Sequence, residues 1–341
     1  QDYLAKSTFI NGDGKQKIFS GYITGDTGFT IPGAPGSVSA VIGFETKELE
    51  TDFRPDTPTK QGDRSGSGGA TLPIGGMYDV DEFFFELGIP VTADISIDAG
   101  FRSAEYSTGA ETDSSKIGAY WSVNDNVSLR ASFQTAQRHA NISELYSAVS
   151  DGLVDLDNDP CSIQQNGTPA TATQAQCALT GLPASLYNTD LNSPADQYNI
   201  KGGGNPKVAP EESESLTIGA VITPESVPGL TLTVDYFDIT VEDGIGTVSA
   251  KTALDKCIST GSAQYCGLIN RQAGTGSLWL SGGYISQQLT NIGEETTSGV
   301  DVIFDYSFET SYGPVEVEGV TTFLDTYDIT ELPGAAPIAC S

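Results

Sequence analysis

Between residues 216 and 222, Leu216, Ile218, Ala220 and Ile222 alternate with Thr217, Gly219 and Val221. After a short Pro/Gly turn, Leu230, Leu232, Val234 and Tyr236 alternate with Thr231, Thr233 and Asp235. Period two places successive side chains on opposite faces of a strand, so each stretch has one apolar and one polar face. The phase then slips: Phe237, Ile239 and Val241 become the apolar set, with Asp238, Thr240 and Glu242 between them. A bulge at Tyr236–Phe237 would return every apolar side chain to one face. No helical period fits.

The alternation recurs along the chain. Lys17–Thr24 reads as a strand, and Val38, Ala40, Ile42 and Phe44 begin another. Further strands follow from Phe83, Phe85, Leu87 and Ile89, and from Ile95, Ile97, Ala99 and Phe101. Ile117, Ala119, Trp121 and Val123 form the next, then Val127, Leu129, Ala131 and Phe133. Val300 to Phe308 and Val315 to Phe323 complete a set of about ten antiparallel strands.

Short connections at 91–94, 124–126, 223–229 and 309–314 alternate with longer ones at 51–77, 107–112, 138–210 and 243–290, and from 325 onward. The Ser65-Gly-Ser-Gly-Gly run makes 51–77 read as a mobile loop. A soluble β-sandwich turns apolar rows into a shared core, whereas a transmembrane barrel turns them toward lipid and leaves a wet lumen. Alternation alone does not separate the two. Segregated loop lengths favour the barrel, whose rims differ in just this way. So do aromatics near strand ends (Tyr78, Phe83, Tyr106, Trp121, Phe323), where membrane interfaces collect them.

The 341-residue chain carries 45 acidic against 16 basic residues, a net charge of −29. Nucleic acid is not a partner for such a surface, because phosphate binding needs a basic face. No run approaches 18 apolar residues, so no helix spans a membrane, which leaves strands open to do so.

Several stretches carry a family resemblance. Asn205-Pro-Lys-Val-Ala-Pro-Glu-Glu-Ser213 runs into a strand, and Val234-Asp-Tyr-Phe-Asp-Ile239 follows in the next. With Arg138–Tyr146 (RHANISELY), Asn291–Asp301 (NIGEETTSGVD) and Tyr78–Glu86 (YDVDEFFFE), they resemble the barrel of TonB-dependent outer-membrane receptors. His139-Ala140 departs from the Ala-Pro more usual there. The resemblance implies an all-β fold, an antiparallel transmembrane β-barrel with long extracellular loops, in the outer membrane of a Gram-negative bacterium. Residues 1–341 are then an internal barrel segment, without the plug domain or the closing C-terminal strands. It further implies uptake of a scarce nutrient (ferric siderophore, cobalamin or oligosaccharide), gated by the plug and driven by the TonB-ExbB-ExbD complex. The competing reading is an extracellular, acidic, β-rich binding or adhesion protein.

Cys161 and Cys177 fall in one long loop and Cys257 and Cys266 in the other, which points to two local disulfides. Each would remove roughly 3 kcal/mol of loop freedom. Cys340 is expected to pair outside this stretch. Asp155, Asp157 and Asp159 form a DxDxD run, but Pro160 and Asn166 stand where a calcium loop needs Gly and Glu, so a solvated acidic loop fits better. Gly202-Gly-Gly-Asn205 reads as a turn. A single histidine and no G-x-S-x-G leave no enzyme constellation, and no cofactor or metal set is expected. Arg138, Tyr146, Tyr187 and Tyr198 are the candidate ligand contacts at the loop mouth; the alternative is that these aromatics pack the loop against itself.

Overall fold

A computed structural model describes residues 7–63, 69–330, 332 and 336–340. The first strands are β1 (Ile10–Asp26) and β2 (Ser39–Pro55), followed by the short helix α1 (Thr57–Lys60). Next come β3 (Ile74–Pro90), β4 (Ile95–Tyr106), β5 (Glu111–Asn124) and β6 (Val127–Arg138). The first long loop holds α2 (Ile142–Tyr146), β7 (Ser150–Asp155), α3 (Gln174–Leu179) and β8 (Gln197–Gly203). β9 (Glu211–Ile222) and β10 (Leu230–Glu242) return to the main sheet. The second long loop holds β11 (Ile245–Gly246), α4 (Ala250–Thr260), α5 (Ala263–Cys266), β12 (Ile269–Asn270), β13 (Tyr284–Gln288) and β14 (Thr290–Asn291). β15 (Glu294–Thr310), β16 (Gly313–Thr330) and β17 (Ile338–Ala339) complete the chain.

One antiparallel sheet runs in the order β1-β2-β3-β4-β5-β6-β9-β10-β15-β16-β17. Register fixes its faces. Ile218 stands between Ala131 and Tyr236, and Ala220 between Leu129 and Val234. On the other edge Ile42 stands between Ile23 and Phe85. These rows are bare: Ile23, Ile42, Phe44, Phe83, Ile117, Trp121 and Ile218 are all exposed, Ile218 at 53%. Among the described residues no second sheet covers them, so they form no sandwich core.

The opposite face is polar and concave, holding a cleft of about 570 Å³ between Thr24 of β1 and Gln134 of β6. Arg130, Gly219 and Asp235 lie level across β6, β9 and β10. Arg130 reaches over the glycine, donating from Nε and Nη2 to the Asp235 carboxylate at 2.8 and 2.5 Å. A Cβ on Gly219 would sit 1.8 Å from Asp235 Oδ1, so only glycine lets the pair cross the middle strand.

Four expectations need correction. β10 pairs with β9 and β15 without a break through Tyr236–Phe237; the nearby register shift falls between Ser298 and Gly299, against β16. Phe237, Ile239 and Val241 therefore stay on the polar side, while Asp238, Thr240 and Glu242 continue the outer row opposite Leu216, Glu214 and Glu212. The phase slip marks the height at which the outer surface stops being apolar. β1 and β2 show a similar change: beyond Phe19 and Phe44 the outer row becomes the Lys17–Glu48 and Lys15–Glu50 pairs, at 2.7 and 2.9 Å.

Tyr78 and Tyr106 belong to no interfacial belt. They lie in the inward phase and are packed beneath the first long loop. Strands also extend into stretches read as loop: residues 51–55 end β2 and 74–77 begin β3, leaving 56–73 as the connection. The Ser65–Gly69 run lies, through residue 68, outside the described residues. Loop lengths segregate less strictly than expected. The 27–38 connection sits on the rim of short turns, and 107–110 is a tight turn on the other. The two longest connections, 139–210 and 243–293, do share one rim.

Val234 sits mid-row on the apolar face and Thr233 on the polar face. In a full-length protein folded into lipid vesicles, Val234→Arg should cost roughly 2–4 kcal/mol of unfolding free energy. Thr233→Arg should cost less than about 1 kcal/mol. Equal losses would mean that the faces are misassigned.

Candidate functional site

At the long-loop rim the chain leaves β6 through Arg138, His139 and Ala140 and enters α2. Asn141 caps that helix by accepting from Glu144 N at 2.9 Å, while Glu144 Oε2 accepts from Asn141 N at 2.7 Å, a reciprocal capping box. Ile142 and Leu145, three apart, then share one face. They bury against Tyr78, Val80 and Ala104 on the inner side of β3 and β4, with Val208 from the loop's return. Each such side chain contributes roughly 1.5–3 kcal/mol. The helix thus folds inward over the mouth.

Arg138 ties this arrangement together. Its guanidinium donates to both carboxylate oxygens of Glu144, at 2.9 and 3.1 Å, and through Nε to Glu211 at the start of β9. Glu211 also accepts from the Ile245 backbone at the root of the second loop, at 2.7 Å. Tyr146 lies flat on the backbone of Gly76 in β3, where a Cβ would meet its ring at 2.3 Å. Of the candidate contacts, then, Arg138 and Tyr146 both lie at the rim, one at the end of β6 and the other at the end of α2.

Tyr187 and Tyr198 do not join them. The Tyr187 hydroxyl donates to the Ala172 carbonyl at 3.0 Å and its ring packs on the core around Cys161 and Cys177. Tyr198 is 0% exposed, accepting from Ser193 N at 3.3 Å, and burial pushes its phenol up to about 12. Both side chains hold the loop to itself, as the packing alternative describes.

The two long loops form one body. β8 of the first pairs in parallel with β13 of the second, inside a four-stranded sheet ordered β12-β13-β8-β7. Gly202 and Gly203 are the end of β8 and not a turn; at Gly203 a Cβ would lie 2.7 Å from the Val149 backbone. Tyr198 joins Ala253, Leu254, Cys257, Leu278 and Ile285 in a shared core. Disulfides Cys161–Cys177 and Cys257–Cys266 each staple one loop. Arg271 and Asp159, at 1% and 0% side-chain exposure, join the two loops. Two hydrogen bonds at 2.6 and 3.0 Å make the pair, and Arg271 also donates to Thr180 Oγ1 and the Gly276 carbonyl. Asp159 is therefore spent on an arginine and unavailable to a calcium loop. Cys340 is exposed and has no disulfide partner among the described residues.

The inner wall has two electrostatic halves. Across β2 to β6 the cations neutralise their neighbours: Lys47 bridges Glu45 and Glu82 at 2.7 and 3.0 Å, Arg102 binds the same two, and Lys116 lies 3.3 Å from Asp98. On β15 and β16, Asp305 stands directly opposite Glu318; Glu316 is the next inward residue along β16, and Asp301, opposite Thr322, lies two inward positions along β15. Among the described residues none of these four has an ion-pair partner within 4.0 Å, and such a wall attracts cations and repels anions. The alternation did not single out Glu144, Glu211, Asp159 or Arg271; Asp159 stood out as part of the DxDxD run, Glu211 and Glu144 lay within the family-like motifs, and the N-x-x-E spacing of Asn141 and Glu144 signals the capping box.

This geometry of bare outer rows, polar inner wall and folded loops on one rim is that of an outer-membrane barrel. The chain belongs to the TonB-dependent receptor family: the model described as "TonB dependent receptor-like, beta-barrel" matches residues 2–337. That family consists of transport receptors rather than enzymes. No curated protein matches the chain. Among solved structures it is similar to a mutant ferric enterobactin receptor of Pseudomonas aeruginosa in complex with enterobactin, at 13% identity and a TM-score of 0.58. It covers 92% of this chain and 36% of that one. The siderophore receptor PirA of Acinetobacter baumannii matches at 14% identity and 0.53, covering 94% and 38%. The RagAB peptide transporter matches at 14% and 0.55, covering 96% and 31%. At these identities the likeness is one of fold, and the chain spans about a third of each relative.

Arg271→Met would leave the Asp159 carboxylate buried without a counter-charge. Hydrogen exchange of the loop body should then report a loss of roughly 3–5 kcal/mol, with most of it recovered in the Arg271→Met/Asp159→Leu pair. A single-variant loss below about 1 kcal/mol would show that the pair does not hold the loops together.

Proposed function

We propose that this chain forms the wall and mouth of an outer-membrane receptor that takes up a scarce nutrient by plug-gated active transport. The observation that carries this reading is the loop body itself: two long connections, stapled and fused, standing on one rim of a barrel segment whose inner wall is polar. Loops carry recognition when a rigid scaffold positions them. On this reading the fused loops face the outside and the short turns face the periplasm. The bare rows meet outer-membrane lipid, and energy arrives from the TonB-ExbB-ExbD complex through a plug inside the barrel.

The names of the similar structures support siderophore or peptide cargo as readily as the cobalamin or oligosaccharide that the family resemblance implies. Arg138 and Tyr146 are the proposed contacts nearest the lumen, with Tyr187 and Tyr198 as supports beneath the capture surface. The uncompensated carboxylates of β15 and β16 favour neutral or cationic groups along that wall.

A strain lacking the full-length gene should lose growth on one of a panel of ferric siderophores, peptides, cobalamin or oligosaccharides. The intact gene should restore growth, and a copy without residues 148–204 should not, though its product reaches the membrane. Unchanged growth of the deletion strain on every source would contradict the proposal.

A further inference from the structure

We propose that His139 is an acid-released latch that holds the root of the first long loop, with α2, closed over the barrel mouth. His139 is the only histidine in the chain and the first residue after β6. Its ring is buried in an aromatic slot, 5.6 Å from Tyr78 of β3 in edge contact and 4.2 Å from Tyr106 of β4. Nε2 lies 3.0 Å from Thr108 Oγ1, in the tight turn between β4 and β5. Nδ1 is buried and has no hydrogen-bond partner among the described residues.

That environment suits a neutral imidazole and resists an imidazolium. A second ring proton would have no acceptor at Nδ1, and the new charge would stand beside Arg138. The facing ionisable groups are Tyr78, Tyr106, Arg138 of β6 and Glu144 of α2. Glu144 is already bound to Arg138, as is Glu211 of β9 behind it. Burial, then the Arg138 charge, holds the His139 imidazole below its ordinary value, with Glu144 opposing. Leaving the slot would hydrate Nδ1 and relieve both penalties.

The latch is mechanically coupled to the mouth. Ala140 is fully buried, and Ile142 and Leu145 share with it the patch formed by Tyr78 and Val80. If His139 leaves, the two-residue link to α2 draws the helix from that patch. The sign follows from linkage: the closed form binds fewer protons than the open one. Its stability is therefore full above the ordinary histidine value of about 6.5 and declines as pH falls below it. Between that value and the lower closed-state one, each unit of acidification favours the open form by up to about tenfold, and below the closed-state value the effect levels off because both forms are then protonated. Histidine is the side-chain type whose ordinary value lies between pH 8 and 5, and His139 is the single histidine in the sequence.

The test is hydrogen exchange on the full-length receptor in lipid nanodiscs, corrected for intrinsic rates, together with direct titration of the His139 ring by NMR. Protection of residues 139–147 should fall several-fold to about tenfold from pH 8 to pH 5, while β9 is unchanged. His139→Gln and His139→Phe, the second keeping the contacts with Tyr78 and Tyr106, should show no such dependence. A wild type with flat protection, variants that retain the drop, or a His139 ring titrating at or above about 6.5 would each overturn the proposal. None of these outcomes depends on which nutrient is carried.

Discussion

Two solvents meet across one layer of backbone, and the rest of the structure follows from that. A sheet in hydrocarbon cannot leave backbone N–H and C=O groups unpaired, so each strand must be bonded on both sides in a fixed register. Register in turn decides which side chains look outward. Ile218 between Ala131 and Tyr236 and Ile42 between Ile23 and Phe85 are outward because their neighbours' hydrogen bonds put them there. The inward set is then free to carry charge, and Arg130 binds Asp235 across Gly219.

The same constraint explains why the functional part is built from loops. A barrel wall has no core of its own beyond its side chains, so the long connections make theirs above it. Among the described residues three small cores form there, one beneath α2, one around Tyr198 and Ile285, and one around Cys161 and Cys177. Each is too small to be stable alone. Two disulfides limit the loops' unfolded freedom, and the buried Arg271–Asp159 pair, costly to desolvate, fixes how one loop sits on the other. Movement at the mouth is then expected of this body as a unit, about its roots at Arg138 and Glu211.

Strand faces are legible in the sequence where the two solvents differ most, as in Leu216–Ile222 and Ile95–Phe101. They are illegible where the outer surface leaves the apolar zone. There the outward row turns acidic and the inward row apolar, which is why Phe237, Ile239 and Val241 read as a bulge and Tyr78 and Tyr106 as interfacial anchors. Both cysteine pairs are legible because each closes within one loop. The Arg271–Asp159 pair is not, since 112 residues separate the partners and neither lies in a periodic segment. Tyr198 looked like a ligand contact because loop aromatics usually are exposed; here its loop has a core, and Tyr198 fills it.

The most direct test of the account is a spin label scanned residue by residue along Ser215–Ile222 of the full-length receptor in lipid, read with oxygen and with a water-soluble paramagnetic reagent. With Gly219 left native, since no side chain fits there, contact with oxygen should peak at 216, 218, 220 and 222 and contact with the aqueous reagent at 215, 217 and 221, a strict period of two. Uniform aqueous access at all seven labelled positions, or an alternation of opposite phase, would contradict it.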